Sequence, residues 1–311
     1  MTDPRRTVIA LRAGGWHPGA AKGARPQELT DQLISDATMV LCAQTPPAHL
    51  AIDNHMWVAE GDEQWVQGEV GAVQLADHLA GATGTTLVPT VAVADIDAAI
   101  LTDQPTPGAL PVDIQVRVGK LADDQSPVAS PYPPAVDLSS PDFLGPMAAR
   151  FQVAEQSVAA IRAEVVARGC RPRRLWALAH ISAPYRFAAA ICDRIAVTPG
   201  VTGTRSEILH ELTELTSAAG SRPLIYADVT ACLGETAVAA RARMSDLDER
   251  VGEPFRCDTE VVVGSVDDLA RWCTETIAAG FDGVRVRPCG RADLAYLVRS
   301  FLPSSDRTDH R

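Results

Sequence analysis

Short β-branched or apolar runs alternate with longer amphipathic, alanine-rich runs along the whole chain, and this alternation constrains the fold more than any other feature of the sequence. It is the pattern of repeated strand–helix units around a parallel sheet, and eight such units predict an α/β fold of the TIM (β/α)8 barrel type. Most of the predicted strands are continuous apolar runs, as expected of strands covered on both faces. The eight are VIAL (8–11), TMVLCA (38–43), TTLVPTV (85–91), DIQVRV (113–118), RLWALA (174–179), RIAVT (194–198), LIYADVTACL (224–233) and GVRVRP (283–288).

The length of 311 residues suits one barrel with loop insertions. We expect a single domain over residues 1–303, followed by a disordered C-terminal tail at 304–311. Two proline-containing segments without periodicity, 44–64 and 121–142, follow predicted strands and are longer than ordinary connections. Both would emerge at the C-terminal face, where barrel active sites form, either as lids or as tolerated surface insertions.

Composition and charge exclude several classes of protein. With 46% hydrophobic and 22% charged residues the chain is typical of globular proteins, and its net charge of −11 without a stripe of cations argues against a nucleic-acid partner. Seven widely spaced cysteines without a CxxC pair are typical of reduced thiols. The apolar run near the N-terminus is too short for a signal peptide or a membrane span, so we expect a cytoplasmic protein.

Polar side chains near the ends of the predicted strands are the candidates for chemistry, because those ends meet at one face of a barrel. His17 and His180 are the catalytic candidates, although a turn-capping role is the alternative for His17. His180 abuts a predicted helix N-terminus, where imidazolium is disfavoured, so it would act in the neutral form. Lys120 could form a Schiff base or be a solvated loop lysine. No Asp, Glu and His cluster has the spacing of metal ligands, so no metal is predicted.

The segment LAHISAPYRFAAA (178–190) joins a predicted strand directly to a predicted helix. Such a junction leaves unpaired backbone N–H groups at the positive end of the helix dipole, where anions bind. Ser182 adds a hydroxyl there and Arg186 could add charge. A serine at a helix start is also an ordinary cap, so the segment alone predicts either a phosphate cradle or a simple turn.

Several blocks of the chain resemble the luciferase-like, flavin-dependent monooxygenase family, whose members are TIM barrels. The C-terminal third carries the most specific resemblance, in RPLIYADVTACLGETAVAARARMSDLDERVG (222–252) and VVVGSVDDLARWCTETIAAGFDGVRVRP (261–288). Upstream, LRAGGWHPGAAKGARPQEL (11–29) and GATGTTLVPTVAVADID (81–97) resemble the N-terminal blocks of the family. The resemblance covers nearly the whole chain and implies the same barrel.

The resemblance implies a cofactor and a reaction. It assigns the flavin phosphate to the turn at Ser182, Tyr185 and Arg186, and the flavin ring to the neighbourhood of Trp16, Thr90 and Gln115. A separate reductase would supply reduced FMN, which reacts with oxygen and oxygenates a small organic substrate. Some relatives use the deazaflavin F420 and transfer hydride instead. The barrel could also form a homodimer or a dimer with a homologue.

The chain departs from the family pattern in the same region. His180 and Tyr185 replace the two glycines of the family's phosphate turn, where side chains would crowd a phosphate. Asp95 replaces a histidine-containing segment, and a carboxylate near the phosphate would repel it. The second hypothesis is therefore a barrel without flavin that serves as a binding protein or as the partner subunit of an active homologue.

Overall fold

The computed structural model describes residues 6–60, 64–79, 84–103, 110–118, 141–200, 203–219 and 222–302. Eight parallel strands form a barrel in the order β1, β10, β8, β7, β6, β5, β4, β2, and the barrel closes because β1 pairs with both β10 and β2. This confirms the predicted TIM barrel. The barrel strands are β1 (Thr7–Ala13), β2 (His49–Glu60), β4 (Thr86–Ala92), β5 (Ile114–Arg117), β6 (Leu175–Ala179), β7 (Arg194–Val197), β8 (Leu224–Leu233) and β10 (Gly283–Pro288).

Two further strands lie outside the barrel order. The strand β3 (Gln64–Glu69) pairs antiparallel with β2, and β9 (Glu260–Gly264) pairs parallel with β8. Sequence reasoning predicted neither of them. Asp258 lies just before β9, in the chain segment that joins β8 to β9.

Helices cover the outside of the barrel. They are α1 (Pro18–Ala21), α2 (Pro26–Leu41), α3 (Ala72–His78), α4 (Ala98–Leu101), α5 (Pro141–Ala167), α6 (Ser182–Ile191), α7 (Arg205–Ala219), α8 (Ala237–Val251), α9 (Val266–Ala278) and α10 (Arg291–Tyr296). Ser265 and Asp268 form a capping box at the start of α9. In the part of the chain that the structure describes, we find no helix with the length and apolarity needed to cross a membrane.

The predicted second strand is wrong. TMVLCA (38–43) closes α2, in which the buried residues Leu29, Leu33, Ala37 and Val40 recur at helical spacing. The actual second strand, β2, lies in the segment 44–64 that was predicted to be a lid or an insertion. Of the other such segment, residues 121–140 lie outside the described residues and 141–142 begin α5.

The interior of the barrel is apolar in the middle and polar toward both ends. A cluster of Val8, Ala10, Ala51, Val88, Trp176 and Tyr226 occupies the middle, where alanine leaves room for the two aromatic rings. Below it, the Asp113 carboxylate accepts hydrogen bonds from Trp176 Nε1 at 3.0 Å and Arg194 Nη1 at 2.7 Å. Above it, toward the C-terminal ends of the strands, the interior side chains are polar.

Candidate active site at the mouth of the barrel

A cavity of about 300 Å³ lies at the C-terminal ends of β2, β4, β5 and β6, between the barrel and the helices α5 and α6. This is the face on which TIM barrels build their active sites. Its polar lining comes from the barrel interior and comprises Asp53, His55, Thr90, Gln115, Arg117 and His180. The rest of its lining is apolar and comes mainly from the helix-facing side of β5 and β6 and from α5 and α6.

Asp53 and His55, near the mouth end of β2, form a buried carboxylate–imidazole pair. Asp53 Oδ1 accepts hydrogen bonds from the backbone N–H of His55 at 2.8 Å and from its Nδ1 at 3.0 Å. Burial raises the pKa of Asp53, but the bonds from His55 and the charge of Arg12 outweigh it and hold this pKa well below its usual value. Burial lowers the pKa of His55 despite Asp53, so the imidazole is neutral at pH 7.

Arg117 competes for the same ring nitrogen. Its Nη1 lies 2.6 Å from His55 Nδ1 and 3.5 Å from Asn54 Oδ1. One nitrogen cannot donate to Asp53 and accept from Arg117 together, and an ionised carboxylate 3.0 Å from a nitrogen lone pair would repel it. We therefore place the proton on Nδ1, and the Arg117 N–H must then turn away from this nitrogen, toward Asn54 Oδ1. Among the described residues, Nε2 has no hydrogen-bond partner, so its lone pair is available to a ligand.

Thr90 and Gln115 face each other across neighbouring strands at the inner end of the cavity. Gln115 Nε2 donates to Thr90 Oγ1 at 2.9 Å, and both side chains are almost fully buried. Gln115 Oε1 has no partner among the described residues. A buried acceptor without a partner destabilises a protein by about 1–3 kcal/mol, so it points to a ligand or a water at this position.

His180 lies on the cavity wall, but both of its ring nitrogens face protein groups. Nδ1 lies 2.9 Å from Thr198 Oγ1, and Nε2 lies 3.5 Å from Asp258 Oδ2. Burial lowers the pKa of His180, while the Asp258 carboxylate opposes this shift. Burial is therefore the main cause of the predicted neutral form of His180. Both of its ring nitrogens therefore have protein partners, whereas Nε2 of His55 has none among the described residues.

An ionic network fills the mouth beside the cavity. Asp228 pairs with Arg285 at 2.6 Å and with Arg287, which also pairs with Asp258 at 2.5 Å. The side chains of Asp228, Arg285 and Arg287 have no exposed surface. Trp16 covers the network: its ring centroid lies 4.4 Å from the Arg287 guanidinium carbon.

His17 lies away from the cavity. It is fully buried, its Nδ1 accepts the N–H of Gly19 at 3.0 Å, and its Nε2 lies 3.1 Å from Asp248 Oδ1. Its ring stacks on Phe255 with centroids 4.5 Å apart. These contacts are those of a residue that caps α1 and ties it to α8, so we leave His17 out of the proposed chemistry.

The start of α6 has fewer anion-binding groups than the sequence suggested. The side chain of Ser182 lies outside the described residues, and the residue that caps the helix is Ile181. Pro184, third in the helix, has no N–H, which removes one donor from the first turn. Tyr185 is 2% exposed, with its hydroxyl 3.4 Å from the His180 carbonyl oxygen, and Arg186 is exposed to solvent.

The two sides of this helix start differ in charge. On the α7 side, a second cavity of about 100 Å³ is lined by Glu207 and Glu211. On the other side, Ile181 and Pro184 share the larger cavity with Arg117. An anion at this turn is therefore favoured only on the Arg117 side. Asp95 is exposed and does not line either cavity, so the predicted repulsion does not arise there.

Two other predictions concern lysine and metal. Lys120 lies outside the described residues. Within the described ranges, no group of three or more His, Cys, Asp and Glu side chains is arranged to hold a metal ion.

No known protein family profile matches this sequence, and no curated protein is significantly similar to it. Solved structures with the same fold are numerous. A riboflavin lyase shares 10% identity over 96% of this chain and 90% of its own, with a TM-score of 0.66. An EDTA monooxygenase from Chelativorans sp. BNC1 shares 11% identity over 96% and 93% of the two chains, with a TM-score of 0.64. The chain shares the TIM-barrel fold of these two enzymes.

A coenzyme F420 dependent tetrahydromethanopterin reductase from Methanopyrus kandleri has the same barrel, with 12% identity over 96% of this chain and 99% of its own and a TM-score of 0.59. The predicted resemblance is thus confirmed at the level of the fold. Sequence reasoning missed Asp53, His55, Asp228 and Asp258. A signal existed for Asp228, a carboxylate inside the apolar run LIYADVTACL beside a strand that carries two arginines.

Proposed function

We propose that the protein is an oxidoreductase that uses a reduced flavin or a deazaflavin on a small organic substrate at the mouth of its barrel. The observation that carries the proposal is the pair of Asp53 and His55, in which one imidazole nitrogen has no partner among the described residues, at a cavity between the strand ends. Its fold is that of flavin- and F420-linked enzymes, which supports the same class of chemistry.

The residues at the cavity fit the anionic end of such a cofactor on one side of α6. Arg117 supplies positive charge, and the N–H groups of Ser182 and Ala183 lie in the first turn of the helix, where they have no intrahelical partner. The ring itself would lie outside the cavity, which has room for a substrate only. Bound there, the cofactor would supply hydride transfer or oxygen activation.

The protein's own contribution is a proton acceptor in a fixed orientation. Asp53 holds the proton of the imidazole on Nδ1, which leaves Nε2 of His55 to accept a proton from the substrate. Burial keeps His55 neutral and therefore ready to act as a base at pH 7. A separate flavin reductase and a dimer remain predictions of the same proposal.

Fluorescence titration with FMN, riboflavin and F420 tests the proposal. We expect FMN or F420 to bind, and Arg117→Gln to weaken binding about tenfold, because the phosphate loses its charged partner. Arg186→Gln is the matched control, since Arg186 is exposed and does not line the cavity. Absence of binding of all three compounds, in oxidised and reduced form, would contradict the proposal.

A flavin-free binding barrel is the second candidate function. The observation that favours it is the start of α6, where Pro184 removes a donor and Tyr185 is buried in the position of a family glycine. It predicts no binding of any flavin but retention of small-molecule binding in the cavity.

A further inference from the structure

We infer that the cavity at the barrel mouth binds an apolar organic molecule that carries a hydroxyl group. The inference names a substrate class for the site described above, and it rests on the proposed function only for the later fate of the hydroxyl.

The part of the cavity outside the barrel wall is apolar. Val116 and Ala177 point away from the barrel interior, because their strand neighbours Gln115 and Trp176 point into it. Phe151 of α5 and Phe187 of α6 face them, with ring centroids 5.5 Å apart. No charged side chain is among these four residues, so this part favours a hydrocarbon group of the ligand.

The part inside the barrel wall ends at one unpaired amide. Gln115 is 3% exposed, lines the cavity, and leaves Oε1 without a partner among the described residues. A hydroxyl satisfies this oxygen, because it can donate a hydrogen bond to it. An ether or an alkane cannot donate, so each would leave the amide oxygen unpaired.

The cavity also limits the size of the ligand. Its volume of about 300 Å³ is twice that of the engineered apolar cavity of about 150 Å³ that binds benzene. It therefore accommodates roughly ten to twelve non-hydrogen atoms. The ligand is then an aliphatic or aromatic alcohol of moderate size.

His55 lines the same cavity as Gln115. A hydroxyl donates only one hydrogen bond, so in turnover its O–H bond would first turn from Gln115 Oε1 to His55 Nε2, which would then accept the proton. If the neighbouring carbon transfers its hydride to an oxidised deazaflavin, the alcohol becomes a carbonyl compound and no other reactant is needed. The alcohol is oxidised and the cofactor is reduced by two electrons.

Ligand-observed NMR titration of the full chain without cofactor tests the inference. The probes are butanol, hexanol, octanol and benzyl alcohol, together with the methyl ether of hexanol. We expect the affinity of the alcohols to rise about fourfold per methylene, the change that burial of one such group produces, until the cavity is full. We expect the ether to bind at least tenfold more weakly than an alcohol of equal length.

Variants locate the binding. Gln115→Leu should remove the preference for alcohol over ether, and Phe151→Ala should weaken hexanol binding about tenfold. Val153→Ala, on the same helix but 67% exposed, is the control and should bind hexanol normally. If Gln115→Leu does not fold, Ala177→Leu fills the cavity from the helix-facing side of β6 and should abolish alcohol binding.

The outcomes separate this inference from the proposed function. Equal affinity for alcohol and ether, or alcohol binding that Ala177→Leu leaves unchanged, overturns the inference even if FMN or F420 binds. Alcohol binding that depends on Gln115 and Phe151 supports the inference even if neither cofactor binds, in which case the proposed oxidoreductase activity fails and the binding barrel stands.

Discussion

The carboxylate of Asp228 and the guanidinium of Arg285, neither with any exposed surface, face each other at 2.6 Å between the adjacent strands β8 and β10. Asp228 also pairs with Arg287, so one carboxylate compensates two buried cations. Taking such charges out of water is unfavourable unless every partner is present. The network therefore fixes the shape of the barrel mouth and depends on this aspartate.

Replacing Asp228→Asn should strongly destabilise the fold. It leaves both guanidinium groups short of a partner inside the barrel, and breaking a buried pair in this way typically lowers the free energy of unfolding by about 3–5 kcal/mol. Urea denaturation measures the loss. Glu164→Gln, which breaks the exposed pair with Arg168, is the control and should change stability by less than about 1 kcal/mol. Equal losses in the two variants would show that the network is unimportant.

His49 should make the protein less stable in mild acid. Burial, with the charges of Arg194 and Arg174, lowers its pKa from 6.5 to about 3. As the pH falls below 6.5, His49 therefore binds a proton in the unfolded chain but not in the folded chain. The stability present above pH 6.5 is lost progressively between pH 6.5 and about pH 3. The slope from this group is up to about 1.4 kcal/mol per pH unit.

Urea denaturation between pH 7.5 and pH 5 checks this dependence. The pKa values of His17, His55 and His180 are also lowered, so the wild-type slope includes their contributions. In His49→Gln the free energy of unfolding should change less steeply with pH than in the wild type. The difference in slope should correspond to about one bound proton. Parallel curves for the two proteins would mean that His49 titrates normally in the folded state.

His17→Ala should reduce stability without affecting ligands. The variant loses the cap of α1, the bond to Asp248 and the contact with Phe255, which together should lower the free energy of unfolding by about 2–4 kcal/mol. Cofactor and alcohol affinities should stay within about twofold of the wild type. His210→Ala, 76% exposed, is the control for both measurements. Loss of ligand affinity in a folded His17→Ala protein would show that this histidine belongs to the binding site.

His55→Gln should abolish proton transfer but not binding. Once an alcohol substrate is in hand, we expect turnover to fall by about 10²–10⁴-fold, the usual contribution of a general base, with cofactor affinity nearly unchanged. Asp53→Asn should shift the acid limb of the pH–rate profile to lower pH, because the Asp53 charge raises the pKa of His55. An unchanged profile would exclude Asp53 as the residue that orients the imidazole.

Most of the barrel was predictable because apolar strands buried on both faces stand out from amphipathic helices. Seven of the eight barrel strands lie where the apolar runs predicted them. The exception is β2, which carries His49, Asp53, Asn54 and His55 in buried positions. A strand whose interior-facing side chains are polar lacks the continuous apolar pattern. The second strand was therefore predicted at the apolar C-terminal end of α2 instead.

The polar pattern of β2 also prevented the prediction of part of the candidate site. Thr90, Gln115 and His180 were identified from the ends of correctly predicted strands, and the structure brings all three to one cavity. Asp53 and His55 were missed because their strand was assigned to a connection. The role of Tyr185 and Arg186 depends on which way their side chains leave α6, and strand and helix periodicity in one sequence does not fix that for the first turn of a helix.

The ring-nitrogen NMR spectrum of the histidines, recorded during addition of FMN or F420, shows whether a flavin-type cofactor binds beside His55. With signals assigned by His55→Gln and His17→Ala, we expect the cofactor to shift both ring-nitrogen signals of His55 and to leave those of His17 in place. A spectrum in which His55 does not respond at saturating cofactor would contradict the placement of a flavin-type cofactor at this barrel mouth.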